Sequence, residues 1–124
     1  MKNGGTVNTT VDIHERAYSF SLGLVNLARG IAPDNTNRSL INQLVRAGTS
    51  VSANLHEANL GSSRKDFVNK VAIALRESAE TLYWLRLLRD SEYLSSELAN
   101  PHIQEAQEIT KILAKIKINA QAHT

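Results

Sequence analysis

The sequence predicts an all-α protein, an antiparallel up-down-up-down four-helix bundle. Four segments repeat apolar residues at steps of three and four, no segment alternates with a period of two, and the connections are short. Steps of three and four place apolar side chains on one face of a helix, and short connections make consecutive helices antiparallel neighbours. Such faces are expected to pack knobs into holes.

The first two helices are each marked by one apolar stripe. The first stripe is Ile13, Ala17, Phe20, Leu24, Leu27 and Ile31. The second stripe is Leu40, Leu44, Ala47, Val51, Leu55 and Ala58. The segment APDNTN separates them, because Pro33 disfavours helix continuation and Asn35 or Thr36 can cap the second helix.

The third and fourth helices follow the same pattern. The third stripe is Val68, Val71, Leu75, Ser78, Leu82 and Leu85, and the fourth is Ala106, Ile109, Leu113, Ile116 and Ala120. Ser63, followed by Asp66 in the N3 place, resembles a capping box at the start of the third helix. Asn100 and Pro101 are expected to be the N-cap and first residue of the fourth helix.

These elements define one domain. We expect residues 12–120 to form the bundle, residues 1–11 a disordered N-terminal arm or residues introduced for expression, and residues 121–124 a C-terminal tail. A chain of 124 residues can bury about two thirds of its unfolded surface in one core.

Composition excludes several classes of protein. The chain has 42% hydrophobic and 21% charged residues, which is ordinary for a soluble globular protein. It has no cysteine, so disulfides and zinc–thiolate sites are excluded. We find no signal peptide and no apolar run long enough for a membrane span, and we expect a cytoplasmic protein that has no contact with a membrane.

The sequence between residues 47 and 53 is unusual for a helix, because all of its residues except Val51 are small. Glycine, serine and threonine weaken a helix by up to about 1 kcal/mol each relative to alanine. Close approach of another helix can offset that cost. Two interpretations remain open: a tight crossing within the bundle, or a groove that a neighbouring subunit fills.

The third helix carries a second apolar seam, with members seven residues apart: Phe67, Ala74, Thr81 and Leu88, with Trp84 alongside. A helix of a monomeric bundle needs only one apolar face, and a larger exposed patch marks a contact surface. We therefore predict that Phe67, Thr81, Trp84 and Leu88 form the interface of a homo-oligomer.

Catalytic and metal-binding motifs are missing from the sequence. Di-metal bundles need Glu-x-x-His on two helices, which does not occur here, and no histidine has a second histidine four residues away. No phosphate-binding glycine loop or nucleophile elbow is present. We predict a protein that is not an enzyme and has no cofactor, catalytic residue or metal.

A polar ladder follows one side of the second helix: Arg46, Ser50, Asn54 and Glu57. Its members are spaced three and four apart and can interact along the helix. The ladder can be a buried hydrogen-bond network, a boundary face or a binding site. We favour a structural role.

The ladder carries a resemblance to the four-helix bundle proteins encoded in intervening sequences of 23S ribosomal RNA genes. Arg46-Ala47, Ser50, Ala53-Asn54 and Glu57 match the second helix of that family, and IALRESAE (residues 73–80) is similar to its third helix. The resemblance spans roughly residues 12–118. Departures are Ser52, where relatives often have proline, and Ala58, where they usually have glycine.

The resemblance implies a bundle that assembles as a ring, commonly a pentamer. The family is similar in fold to the basic pentameric accessory proteins of diversity-generating retroelements, which bind nucleic acid. Together with a pI near 9.1, this implies binding of structured RNA or DNA. The candidate residues are Arg64, Lys65, Lys70, Lys111, Lys115 and Lys117. The alternatives are a scaffold whose ring presents a surface to a protein partner and, for the lysines, an ordinary solvated surface.

Overall fold

The computed structural model describes residues 9–61 and 63–122, with side chains from residue 13 onward. It consists of α1 (Thr9–Arg29), α2 (Arg38–Leu60), α3 (Arg64–Asp90) and α4 (Ser96–Gln121). Each helix packs on the next one in the chain, and α4 closes the ring of contacts against α1. The predicted four-helix bundle is confirmed.

The core is aliphatic and lies between the four helices. Its fully buried large side chains come from every helix: Ile13, Leu24, Leu44, Val51, Val71, Leu85, Leu88, Ile109 and Leu113. The predicted stripes of α1 and α2 supply most of the buried positions on those helices. Burial of this apolar surface is the main force that holds the helices together.

The buried face of α3 differs from the predicted stripe. Its buried residues are Val71, Ala74, Ser78, Thr81, Leu85 and Leu88, which advance by alternating steps of three and four. The predicted stripe and the predicted second seam therefore each supply half of one heptad pattern. Leu75 and Leu82, which we assigned to the core stripe, are only partly buried and pack at its edge.

The small residues of α2 fit a close crossing with α1. A β-carbon added at Gly48 would overlap Leu24 Cδ1, so any larger residue there requires that buried leucine side chain to move. The hydroxyl of buried Ser21 donates to the Gly48 carbonyl at 2.7 Å and shares a hydrogen bond with Ser52 Oγ at 2.8 Å. At Gly48 and Ser52 the small-residue run therefore serves the crossing within the bundle.

The link between α1 and α2 is fixed by Asp34 and Asn37. Asp34 Oδ1 accepts from the amide of Asn37 at 2.7 Å, and Asn37 Oδ1 accepts from the amide of Asp34 at 2.8 Å. Asn37 is fully buried and occupies the N-cap position of α2 without a side-chain cap hydrogen bond. The prediction that Asn35 or Thr36 caps α2 is wrong, because the reciprocal pair moves the helix start to Arg38.

The start of α3 is as predicted, and the start of α4 is not. Ser63 Oγ accepts from the amide of Asp66 at 3.1 Å. Helix α4 begins at Ser96, and Ser95 Oγ accepts from the amide of Leu98 at 3.2 Å. Pro101 lies inside the helix, near its start, where a proline removes one intrahelical hydrogen bond. The assignment of Asn100 as N-cap is therefore wrong, because the Ser95 hydroxyl already supplies a cap five residues earlier.

The chain ends extend the helices beyond the predicted domain limits. Helix α1 already includes residues 9–11 of the predicted arm, and α4 includes Gln121 of the predicted tail. Residues 1–8 and 123–124 of those two segments lie outside the described residues. None of the described helices is both long and apolar enough to cross a membrane.

Candidate functional site

The six predicted nucleic-acid-binding residues lie on α3 and α4. Arg64, Lys65 and Lys70 occupy the first turns of α3, and Lys111, Lys115 and Lys117 occupy the second half of α4. In an antiparallel bundle α3 begins at the end of the molecule where α4 finishes. The topology thus brings both groups toward one end, which we call the basic end and define by these six residues.

Two members of the basic end are engaged by carboxylates. Lys70 Nζ lies 2.6 Å from Glu57 Oε1, and Lys111 Nζ lies 3.6 Å from Glu108 Oε2. Within residues 9–61 and 63–122, no ion pair involves Arg64, Lys65, Lys115 or Lys117. The first three of these are exposed and Lys117 is half-buried.

The helix dipole accounts for only part of this arrangement. Cations near a helix C-terminus are stabilised by the dipole, which suits Lys115 and Lys117. Cations at an N-terminus are not, and Arg64 and Lys65 are the first two residues of α3. The dipole therefore does not account for these two charges, which are exposed to solvent and accessible to an external anion.

Two members of the polar ladder, Arg46 and Glu57, contact α3, and the other two form hydrogen bonds within α2. Arg46 Nη1 donates to Glu77 at 3.2 Å and Nη2 forms a short contact with Glu80, while Glu57 holds Lys70. Ser50 Oγ and Asn54 Nδ2 each donate to the carbonyl four residues earlier on α2, at 2.8 Å. The side chains of Arg46 and Glu57 are 46% and 55% exposed. The ladder is therefore a boundary face and not a buried network.

Two of the four predicted interface residues are enclosed by the single chain. Thr81 and Leu88 have no exposed surface, because the predicted second seam forms part of the core. Phe67 and Trp84 are partly buried and pack at the core edge. The premise that a lone bundle exposes Leu88 is therefore wrong.

Trp84 and its neighbours form the outer aromatic surface of α3. The rings of Tyr83 and Trp84 meet edge to face, with centroids 4.9 Å apart, and Tyr83 is 57% exposed. Trp84 Nε1 donates to Glu80 Oε2 at 2.9 Å. This hydrogen bond and the Arg46 guanidinium lower the pKa of Glu80.

A cleft between α1 and α2 brings together residues that we did not connect by sequence. It has a volume of about 430 Å³ and is lined by His14, Tyr18, Ser52, Ala53, His56 and Asn59. The Asn59 carboxamide lies 3.4 Å from His14 Nδ1. Burial, followed by the nearby His56, lowers the pKa of His14.

The spacing of histidines within single helices did not indicate this cleft. A signal was present: His14 and Tyr18 are four residues apart on α1, and Ser52 and His56 are four apart on α2. Each pair lies beside its core stripe, on the side that faces the other helix. The spacing places each pair on one face of its helix, but the meeting of the two faces is decided by the tertiary structure.

A second cleft, of about 410 Å³, lies between α1 and α4. Arg16 makes a two-pronged contact across it, with Nε 2.6 Å from Glu105 Oε2 and Nη2 2.8 Å from Glu105 Oε1. His102 packs against Gly23, and burial lowers the pKa of His102. Because its charged residues already pair with each other, this cleft has the character of a structural contact.

No group of three or more metal-binding side chains occurs in the described part of the chain. His14 and His56 share a cleft, but neither a carboxylate nor a third histidine joins them among its described lining residues. The arrangement presents neutral polar groups and flat rings and is suited to non-covalent binding.

Comparison with known proteins gives a family match and similar solved structures. The family model described as 23S rRNA-intervening sequence protein matches residues 9–115, which include all of α1, α2 and α3. A crystal structure from Bacteroides thetaiotaomicron VPI-5482 is described as a protein with unknown function from the S23 ribosomal protein family. It is 34% identical, with a TM-score of 0.83, and the match covers 89% of this chain and 98% of that chain. Comparison with curated proteins gives no significant match.

Proposed function

The chain belongs to the 23S rRNA-intervening sequence protein family, and from this premise we propose that it is a non-enzymatic, oligomeric module that binds structured RNA or other nucleic acid through its basic end. One observation carries the proposal: Arg64, Lys65, Lys115 and Lys117 converge from two helices and form no ion pair in the described part of the chain. A cytoplasmic location belongs to the same proposal, because ribosomal RNA is found there.

Phosphate is the ligand that best suits the basic end. Clustered lysines and arginines on one face are the electrostatic feature of nucleic-acid binding. Their binding releases counterions from the nucleic acid, so the affinity falls steeply as salt rises. Contact of all four unpaired cations with phosphates would give a slope of log K against log salt of about −3 to −4 per chain.

Filter binding to ribosomal RNA fragments at low and moderate salt tests this proposal. A double variant Lys115→Gln/Lys117→Gln should lower the affinity and flatten the salt dependence by about 1 to 2 in slope. Arg29→Gln/Arg38→Gln removes the same charge at the opposite end of the bundle and should change the slope little. Absence of binding by the wild-type protein even at low salt would remove the proposal.

Self-association is the second part of the proposed function. On the outer surface of α3, Tyr83 is 57% exposed and lies beside partly buried Trp84. Aromatic side chains that are exposed to water favour contact with another subunit. Pairing of this surface with a different face of a second copy would be heterologous and would close into a ring. The family resemblance implies five subunits.

A protein-interaction scaffold is the alternative function. It is favoured by exposed apolar side chains away from Tyr83 and Trp84, namely Leu60, Leu98 and Ile118. Purification after nuclease treatment distinguishes the two functions. Retention of one protein in a fixed ratio, without bound nucleic acid, would favour the scaffold.

A further inference from the structure

We propose that the cleft between α1 and α2 binds one unpaired base of a single-stranded RNA segment, an inference which rests on the proposed RNA binding. Tyr18 stacks on the face of the base, His56 flanks it, and Asn59 forms hydrogen bonds with its edge. The basic end holds the phosphates of the same strand.

The first support for the proposal is the chemical character of the residues that line the cleft. Among the residues whose side chains the structure describes, six line the cleft, and none of these six is a carboxylate, a lysine or an arginine. Three are flat rings, two of the others carry neutral polar groups, and a volume of about 430 Å³ lies within the range of small-molecule sites. Unpaired bases are bound in proteins by stacking on Tyr or His and by hydrogen bonds to their edges.

The second support is the exposure, hydrogen bonding and protonation of these side chains. Tyr18 is 66% exposed, so a large ring face is open to a stacking partner. Asn59 is exposed, and its hydrogen bond to another described residue is the long 3.4 Å contact with His14. Its carboxamide therefore keeps donor and acceptor capacity for a ligand. Burial and the neighbouring His56 lower the pKa of His14, which keeps this ring neutral at neutral pH.

The third support is the position of the cleft. Asn59 is the last residue but one of α2, and Arg64 and Lys65 are the first two residues of α3, so the cleft and these cations lie toward the same end of the bundle. One strand can therefore contact the two cations with its phosphates and reach the cleft with an unpaired base. The bases of an A-form duplex are paired inside the helix and cannot enter it. The expected ligand is therefore a loop, a bulge or a single-stranded end.

Fluorescence anisotropy with three labelled probes at equal salt tests the inference. The probes are a single-stranded RNA, the same strand in a duplex, and a strand of equal length with abasic residues, which keeps its phosphates. We expect the wild-type protein to bind the single strand more tightly than either of the others. Equal affinity for all three would overturn the inference and would leave the proposed RNA binding standing.

Matched variants assign the effect to the cleft. Tyr18→Leu should weaken binding of the single strand by roughly 5- to 150-fold, which is the range for loss of one stacked base, and should not change duplex binding. Leu22→Ala removes an exposed apolar side chain from the same helix that does not line the cleft and is the control. Circular dichroism verifies that both variants keep their helical content.

A variant of the basic end distinguishes failure of base binding in the cleft from failure of RNA binding as a whole. Arg64→Gln/Lys65→Gln should weaken binding of all three probes, since it removes phosphate contacts. Loss of binding in this variant together with no effect of Tyr18→Leu would overturn the base-binding cleft only. Failure of the wild-type protein to bind any probe would overturn both. As an independent measurement, the single-stranded probe should shift the imidazole NMR signals of His14 and His56, identified with His14→Gln and His56→Gln, and leave that of His102 unchanged.

Discussion

At the scale of single residues, Gly48 is the residue whose size decides how closely α1 and α2 pack. Its missing side chain leaves space for Leu24, which is completely buried. The helix gives up about 1 kcal/mol by using glycine in place of alanine there. Close packing of the core offsets this cost, since buried Leu24 makes contacts that a displaced side chain would lose.

We predict that Gly48→Val destabilises the protein by roughly 1–3 kcal/mol, because the new side chain overlaps Leu24 and forces α1 away from α2. Ala53→Val adds bulk to an exposed position of the same helix and should cost well under about 1 kcal/mol. Urea unfolding of both variants measures the difference. Equal losses would show that the crossing yields to the added bulk.

The ladder residue Glu57 supports a second prediction at this scale. Its pKa is lowered by the hydrogen bond and charge of Lys70, but the pair lies in solvent. Exposed ion pairs contribute little to stability, so Glu57→Ala should leave the urea midpoint almost unchanged. A large loss of stability would contradict the exposed geometry. Unchanged stability with loss of RNA binding would make the ladder part of a binding site.

At the scale of secondary-structure elements, α3 carries residues of the core and residues at the edge of the core. Leu88 lies in the core, while Trp84 lies at its edge and beside exposed Tyr83. A charge in place of Leu88 would be buried, which costs far more free energy than a charge in place of Trp84 at the edge of the core. Both positions were predicted for the interface, and of the two only Trp84 is partly exposed in the single chain.

We therefore expect Trp84→Glu to shift an oligomer toward the monomer while helical content remains. Leu88→Lys should instead unfold the chain, because it places an unpaired ammonium among apolar side chains. Light scattering reports the mass of each variant, and circular dichroism reports its helicity. A monomeric wild-type protein at tens of micromolar would contradict self-association, whatever the variants do.

At the scale of the whole molecule, the lowered pKa values of two histidines and two carboxylates favour instability in acid. Burial lowers the pKa of His14 and His102 below the ordinary value of 6.5. As the pH falls below 6.5, the unfolded chain takes up protons that the folded chain does not yet bind. The free energy of unfolding therefore falls through this window, down to the lowered pKa values. At still lower pH, protonation of Asp34 and Glu80, whose pKa values are also lowered, removes more stability.

Thermal unfolding between pH 7.5 and pH 5 measures this effect. The melting temperature should decrease with pH, and the decrease near pH 6 should be smaller in His14→Gln/His102→Gln. Glutamine keeps polarity but takes up no proton, which isolates the imidazole contribution. A melting temperature that is constant between pH 7 and pH 5 would contradict the burial of the two rings.

The sequence by itself determined the helices, their order and the antiparallel bundle. Apolar steps of three and four require helical faces, and short links leave the chain no other arrangement. The sequence also determined the Ser63 cap, since a capping box is a local interaction. The meeting of Arg64 and Lys65 with Lys115 and Lys117 at one end follows from the same topology. The family was predicted from residues 46–57 and is confirmed.

Only the tertiary structure decided how each helix is rotated about its axis. A repeat of three and four shows that positions share a face, but the partners decide which seam is covered. For that reason Thr81 and Leu88 lie in the core and not in an interface. Two residues can cap α4, Ser95 and Asn100. The structure shows that Ser95 is the cap and that the helix starts at Ser96. The cleft of His14 and His56 depends on contact between residues far apart in the chain, and no local pattern fixes such a distance.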